Sequence, residues 1–311
     1  MIKEIKEKMP NWCEDTTTKF QLMMSDDIDA LMCYIFQKGK FGRECEYFIN
    51  SSKDRAYQSY DKTVNRKGKQ YMYRTDEATN KVKDTLVLDF SINKQVKSWD
   101  NHVINISNSD DYNKLSANMN IATNINKNNY SSKFCISSFI TMLSYYDIQI
   151  QNWTHEQLIF LCAIDGLYQP FKNAAFASQG EKNLHLLDFD FLVDFIKENI
   201  KEIENFDNTY LKKKSIWVNE NGYLETSLDL DKLSKEVGWV IQLPSKQFKS
   251  YKEPIESMIF NTGRFPTKAS IEEYYDKKIF NIALTYKGSG VKFYKLRTKK
   301  VKVKNNKDKI K

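Results

Sequence analysis

Short apolar runs that stop at an acidic residue constrain this 311-residue chain more than any other feature. Residues 20–24 lead into Ser25-Asp26-Asp27-Ile28-Asp29-Ala30, residues 85–88 lead into Asp89, and Trp99 leads into Asp100-Asn101-His102. A brief, continuous apolar run describes a strand covered on both faces, the usual condition of a parallel sheet flanked by helices. Residues 31–36 continue as a helix after the first acidic turn, so the opening unit reads strand, acidic loop, helix. In open α/β sheets the ends of parallel strands line one crevice, and carboxylates gathered there repel each other unless a cation neutralises them. A bound divalent ion is therefore expected.

Helical periodicity recurs over residues 134–146, 156–164 and 188–203, and Thr154 followed by Gln157 forms a capping-box pattern before the second of these. Residues 50–82 and 104–130 are polar and read as excursions over the surface. A charged stretch at 212–215 reads as a linker. Beyond it, residues 216–218, 239–243, 279–286 and 291–296 read as strands, the last two flanking the turn Lys287-Gly288-Ser289-Gly290. The predicted fold class is α/β, with a mostly parallel sheet in a domain over 1–205, a smaller α+β domain over 216–298, and a basic tail at 299–311.

No apolar run reaches the ~18 to 20 residues of a membrane span, and the charged start of the chain has no apolar stretch behind it. These features predict a cytoplasmic protein with no membrane partner. Five scattered cysteines without a C-x-x-C pair predict free core thiols and argue against a disulfide framework or a zinc site. The net charge is +8, yet residues 295–311 carry nine Lys/Arg against Asp308 alone. Outside that tail, basic and acidic residues balance at 39 each. The tail can hold phosphate backbones or serve as a solvated end.

Taken in order, the acidic motifs resemble those of the DHH (Asp-His-His) phosphoesterases. Ser25-Asp26-Asp27-Ile28-Asp29-Ala30 resembles the family's first motif, His-x-Asp-x-Asp-Gly. Asp89 resembles its strand-ending second aspartate, Asp100-Asn101-His102 its signature triplet, and Asp165 in Leu161-Cys-Ala-Ile-Asp-Gly166 its fourth motif. Residues 131–143 are similar to the small-residue helix that precedes that fourth motif. The resemblance covers residues 18–170. It implies two Mn²⁺ or Mg²⁺ ions, one held by Ser25, Asp27 and Asp89, the other by Asp29, Asp89, Asn101 and Asp165. Two ions about 3.5 to 4 Å apart activate a hydroxide and stabilise an in-line phosphoryl displacement. The same resemblance casts His102 and Asp100 as catalytic groups and Arg297, in the strand pair after residue 279, as a substrate contact. The implied substrate carries phosphate: a nucleotide, a short oligonucleotide or a single-stranded nucleic acid.

Two departures stand beside these matches. Ser25 and Asn101 replace the family's ligand histidines while the metal-binding carboxylates remain, and an all-oxygen set suits hard cations. Asp26 is a substitute for the missing first histidine. The alternative is a catalytically degenerate member that binds nucleic acid or protein. His155 and His185 read as structural residues.

Overall fold

The structure is a computed structural model that describes residues 1–50, 66–251, 255–285 and 288–294. Arg297 and the basic tail lie outside the described residues. Among the described residues twelve strands form: β1 (Gln21–Met24), β2 (Cys45–Asn50), β3 (Arg66–Arg74), β4 (Thr85–Leu88), β5 (Lys97–Trp99), β6 (Ser116–Ala117), β7 (Ile216–Val218), β8 (Leu224–Thr226), β9 (Lys249–Ser250), β10 (Ile255–Phe260), β11 (Lys278–Thr285) and β12 (Gly288–Tyr294). Strands β2-β1-β4-β5-β6 lie side by side and run parallel, which makes the chain α/β. β3 pairs antiparallel with β2, and the sheet continues through β10, β12 and β11, all antiparallel.

Alternation explains why the parallel strands read as unbroken apolar runs. Leu22, Met24, Leu86 and Leu88 point into one core, shared with the helices Ile28–Phe41 and Ser138–Tyr145. Met23 and Val87 point the other way, into a cluster with Tyr47, Ile49, Phe90 and Ile92. After the half-exposed first residues Gln21 and Thr85, both strands are buried on both faces, so their remaining positions are all apolar. The helix Ile28–Phe41 closes at Gly42, whose φ of +63° permits the left-handed turn that satisfies its last carbonyls. The capping box of Thr154 and Gln157 forms at the start of the helix His155–Ala163.

Several segments differ from the sequence-based expectation, and one is the turn expected at 287–290, where Gly288, Ser289 and Gly290 are paired with β11 as part of β12. Part of the polar stretch 50–82 is strand β3, placed between β2 and β10. Its polar composition hides it, because β3 draws its place from hydrogen-bonding partners on both sides rather than from a clear period-two pattern. Residues 239–243 are not a strand. Ile241 is buried while Val240 is 75% exposed, and the Ile241 amide is satisfied by Ser234 Oγ at 3.0 Å rather than by a neighbouring strand. Trp239 instead stacks edge-on against Trp153, with ring centroids 4.7 Å apart.

The strands expected in a separate C-terminal unit, β11 and β12, belong to the same ten-stranded sheet as the parallel strands. Among the described residues only β7 and β8 form a sheet of their own, and the Ile216 amide donates to the Asp26 carbonyl at 2.9 Å, tying that hairpin to the first acidic loop. All five cysteines are free, four of them buried. No helix among the described residues is long and apolar enough to cross a membrane.

Burial on both faces sets a stability prediction. Leu86→Ala is expected to cost about 2–5 kcal/mol in urea unfolding through the cavity it leaves. Val87→Thr, on the opposite face, is expected to cost about 1–3 kcal/mol by burying a hydroxyl without a partner. A neutral Val87→Thr would mean that this second face is wet.

Candidate metal centre

Each acidic residue reaches the crevice through a specific local structure. Asp27 is the N-cap of the helix Ile28–Phe41, its Oδ1 accepting from the Ala30 amide at 3.0 Å. Asp29 lies one residue into that helix and is fully buried. It crosses to the helix Ser138–Tyr145, where its Oδ2 accepts from the Ser138 amide at 2.7 Å and its Oδ1 from the Phe139 amide at 2.9 Å. Those amides belong to the unsatisfied first turn of a helix, which favours a carboxylate at that spot.

Asp89 and Asp165 are aimed by backbone of the same unusual kind. Asp89 follows β4 with φ +50°, and Asp165 follows the helix His155–Ala163 with φ +52°. Left-handed backbone costs a residue with a side chain roughly 1–2 kcal/mol, and Asp is among the few types that adopt it. At Asp89 the turn is pinned on both sides: its amide donates to the Trp99 carbonyl at 2.9 Å and its carbonyl accepts from Ser25 Oγ at 3.0 Å. At Asp165 the next residue, Gly166, is also left-handed with φ +67°, and the Asp165 Oδ2 accepts from Asn101 Nδ2 at 2.6 Å. Ser138 links the cluster, since its hydroxyl donates to Asp89 Oδ1 at 3.0 Å while its amide holds Asp29.

Asp100 and His102 form the neighbouring pair. His102 Nδ1 lies 2.7 Å from Asp100 Oδ1, and the other oxygen of Asp100 accepts from Asn118 Nδ2 at 2.8 Å. A carboxylate on Nδ1 fixes the tautomer with the proton there, so Nε2 carries the basic lone pair. The Asn-rich stretch after it serves as scaffold. Asn118 also donates to the His102 carbonyl at 2.8 Å, and Asn120 donates to the Asn101 carbonyl at 2.7 Å.

Two compact ligand groups result. Asp29, Asp89 and Asp165 offer oxygens that all lie within 4.8 Å of one another, and so do the donor atoms of Asp89, Asp100 and His102. Asp89 is common to both. This grouping differs from the one implied by the resemblance. Asp27 belongs to neither compact group and caps its own helix, although it lines the adjoining cleft with Asp165. The Ser25 hydroxyl proton is spent on the Asp89 backbone, and Asn101 turns its amide nitrogen, not its oxygen, toward Asp165. Asp26 is buried beside them. His155 pairs with Glu202 and His185 with Asp190, both at 3.0 Å and exposed.

The sequence reading did not single out Ser138, Asn118 or Asn120. Two consecutive serines, Ser137 and Ser138, at a helix start were the available signal, since Ser137 also caps that helix through the Ile140 amide at 3.2 Å.

Without a cation the centre is electrostatically tense. Burial raises the Asp27 carboxyl well above its ordinary value, with Asp89 and Asp165 adding to the rise. Burial likewise raises Asp29, assisted by Asp165 and Asp27, against the pull of the Phe139 and Ser138 amides. Asp89 is raised by burial, then by Asp29, Asp165 and Asp100. The donor set of carboxylate oxygens and one imidazole suits Mg²⁺ or Mn²⁺, and a dication would reverse these shifts.

Compared with known proteins, the chain matches no family model, no curated protein and no solved structure.

The sign of these shifts gives a stability prediction. Carboxyls raised in the folded state favour its protonated form, so their contribution is full below the ordinary carboxylate value of 3.8 and is lost as pH rises through the raised values. In chelator the melting temperature is expected to fall from mildly acidic to alkaline pH. Mg²⁺ or Mn²⁺ is expected to restore it most strongly at the alkaline end, by about 2.7 kcal/mol at a hundredfold excess over Kd. Asp89→Asn should stabilise the ion-free protein at neutral pH and remove the ion-induced gain. A pH-independent midpoint that ignores both ions would dismiss a cation centre.

Proposed function

We propose that this chain is a divalent-metal-dependent phosphoesterase, a divergent DHH-type enzyme acting on phosphodiester or phosphoanhydride bonds in a nucleotide, oligonucleotide or single-stranded nucleic acid. The observation that carries this reading is Asp89, one buried carboxylate shared by two ligand groups. A shared carboxylate is what a pair of cations requires if both are to act on one phosphoryl group. Asp29, Asp89 and Asp165 would hold one Mg²⁺ or Mn²⁺, and Asp89, Asp100 and His102 the other. When bound, the ions supply charge stabilisation at the phosphoryl oxygens and a hydroxide at neutral pH.

The chain's own residues set the conditions for that chemistry. Ser138 and the pinned backbone at Asp89 fix the carboxylates before substrate arrives, so little reorganisation remains during reaction. Asp100 holds the His102 ring beside Asp89 through its contact with Nδ1, a proton-sharing contact that a cation shared by the two would replace. Asn101 holds Asp165, the exposed member of its group, in place at the crevice mouth.

A specific observation favours a second reading, a member of the same fold that binds phosphate without turnover: Ser25 and Asn101 stand where the resemblance expects ligand histidines, and both side chains are committed to protein partners. Turnover separates the two. Short oligonucleotides, dinucleotides and polyphosphate are to be assayed with Mn²⁺ and Mg²⁺ separately. Asp89→Asn is expected to lower kcat by about a hundred- to a thousandfold, while leaving Lys172→Ala, a surface control, unchanged. If the wild-type chain binds strands without turning any over, the second reading stands.

The two replaced positions give a further prediction. Asn101→His is expected to tighten Mn²⁺ binding, measured by calorimetry, by adding a nitrogen donor beside Asp165. Weaker Mn²⁺ binding would mean that Asn101 matters for holding Asp165 rather than as a relic of a lost ligand.

A further inference from the structure

Lys268 is buried without a counter-charge. It opens the helix Lys268–Tyr275, is 4% exposed, and lines a cavity of about 630 Å³ between that helix, the start of β11 and the loops around Asn93 and Asp110. Its Nζ donates to Asn93 Oδ1 at 2.9 Å and reaches Asn105 Oδ1 at 3.5 Å, and it forms no ion pair with a described residue. Both acceptors are fixed through their backbone, the Asn93 amide donating to the Phe280 carbonyl at 2.8 Å and the Asn105 carbonyl accepting from the Lys127 amide at 3.0 Å. The carboxylates that share the cavity wall are committed elsewhere. Asp110 accepts from the backbone amide of Lys268 at 2.7 Å and from that of Ile106 at 2.6 Å, Glu272 from the Ile279 amide at 2.9 Å and Lys278 Nζ at 2.5 Å, and Asp111 from the Tyr112 amide at 3.0 Å.

The hydrogen-bond count favours a neutral amine at this position. An ammonium carries three N–H donors, each costly to bury unmet, whereas a neutral amine carries two and a lone pair. Two oxygens face Nζ, so both hydrogens of the neutral form are met and the lone pair is left over. Burial acts in the same direction, pushing Lys268 down to about 8 against the upward pull of Asp110, Asp111 and Glu272. A lysine attacks a carbonyl only in its neutral form, and desolvation is one of the ways a protein holds it there. The cavity is of the size that takes a small molecule, since such sites occupy roughly 300–1,000 Å³.

We propose that Lys268 is a covalent binding site for a small aldehyde, which it captures in this cavity as an imine. The Nζ lone pair forms a bond to the carbonyl carbon, the carbonyl π pair moves to oxygen, and a proton passes from nitrogen to that oxygen to give a carbinolamine. Loss of the hydroxyl with the second amine proton, as water, leaves the C=N bond, and water reverses the step. No oxidant or reductant is involved. The site is separate from the acidic centre and does not depend on the phosphoesterase reading.

The test uses pyridoxal 5′-phosphate as the aldehyde, borohydride to fix the imine, and peptide mapping to locate it on the full-length protein. At pH 8 Lys268 is expected to be labelled about tenfold faster, or more, than the exposed Lys40 and Lys182, because an ordinary lysine, titrating near ~10.4, is almost wholly protonated there. Its labelling rate is expected to rise through about pH 8 and then level off. Asn93→Asp keeps the amine but sets a carboxylate against it, which holds the proton in place, and is expected to slow labelling of Lys268 by about tenfold while Lys40 is unchanged. Lys268→Arg is expected to abolish the fast phase. Circular dichroism checks that each variant folds, and the wild-type pH profile decides alone if neither does. Labelling of Lys268 no faster than that of Lys40 and Lys182, a rate still climbing at pH 10, or a rate that folded Asn93→Asp leaves unchanged overturns the proposal.

Discussion

The amide of Ser138 donates to Asp29 and its hydroxyl to Asp89, and through this one residue the two halves of the acidic centre are joined. Asp29 sits in the helix Ile28–Phe41, Asp89 at the end of β4, and Ser138 at the start of a helix about fifty residues later. Were the start of the Ser138–Tyr145 helix to shift by a residue, Asp29 would lose its two amide partners while remaining buried. A buried carboxylate without partners is costly enough to unseat the surrounding core. The helix–helix contact and the centre's geometry therefore stand or fall together.

Like charges are gathered here against their own repulsion. Burial and mutual proximity push Asp27, Asp29 and Asp89 toward their neutral forms, and the helix-start amides, the Ser138 hydroxyl and the Ala30 amide push back. Two of the aspartates in the centre, Asp89 and Asp165, also occupy left-handed backbone. Strain and repulsion concentrated at one place are the pattern of a site shaped for a ligand rather than for stability alone.

The aspartates that end up in or beside the centre were legible because they follow an apolar run or a helix, and the chain must emerge at the edge of the core where such a run stops. Their partnerships were not legible. By resemblance Asp27 and Ser25 are ligands of the first ion, whereas Asp100 and His102 occupy the compact group with Asp89, and Ser25 braces the backbone instead. β3 escaped notice for a related reason: its residues lack a distinct apolar face, and strand pairing alone defines it.

The sequence by itself determined that the chain is α/β, where β1 and β4 lie, where the helix after Thr154 begins, and that acidic residues terminate the strands. These follow from local chemistry, in apolar patterning, capping residues and chain-ending turns, which any segment carries within a few residues of itself. Tertiary structure decided that β3 bridges the parallel strands to β10, β12 and β11, that Asp89 is shared, and that Asp29 caps a helix 109 residues away. Those outcomes depend on hydrogen bonds and charges meeting across long stretches of chain, and no local pattern encodes which distant partner will be there.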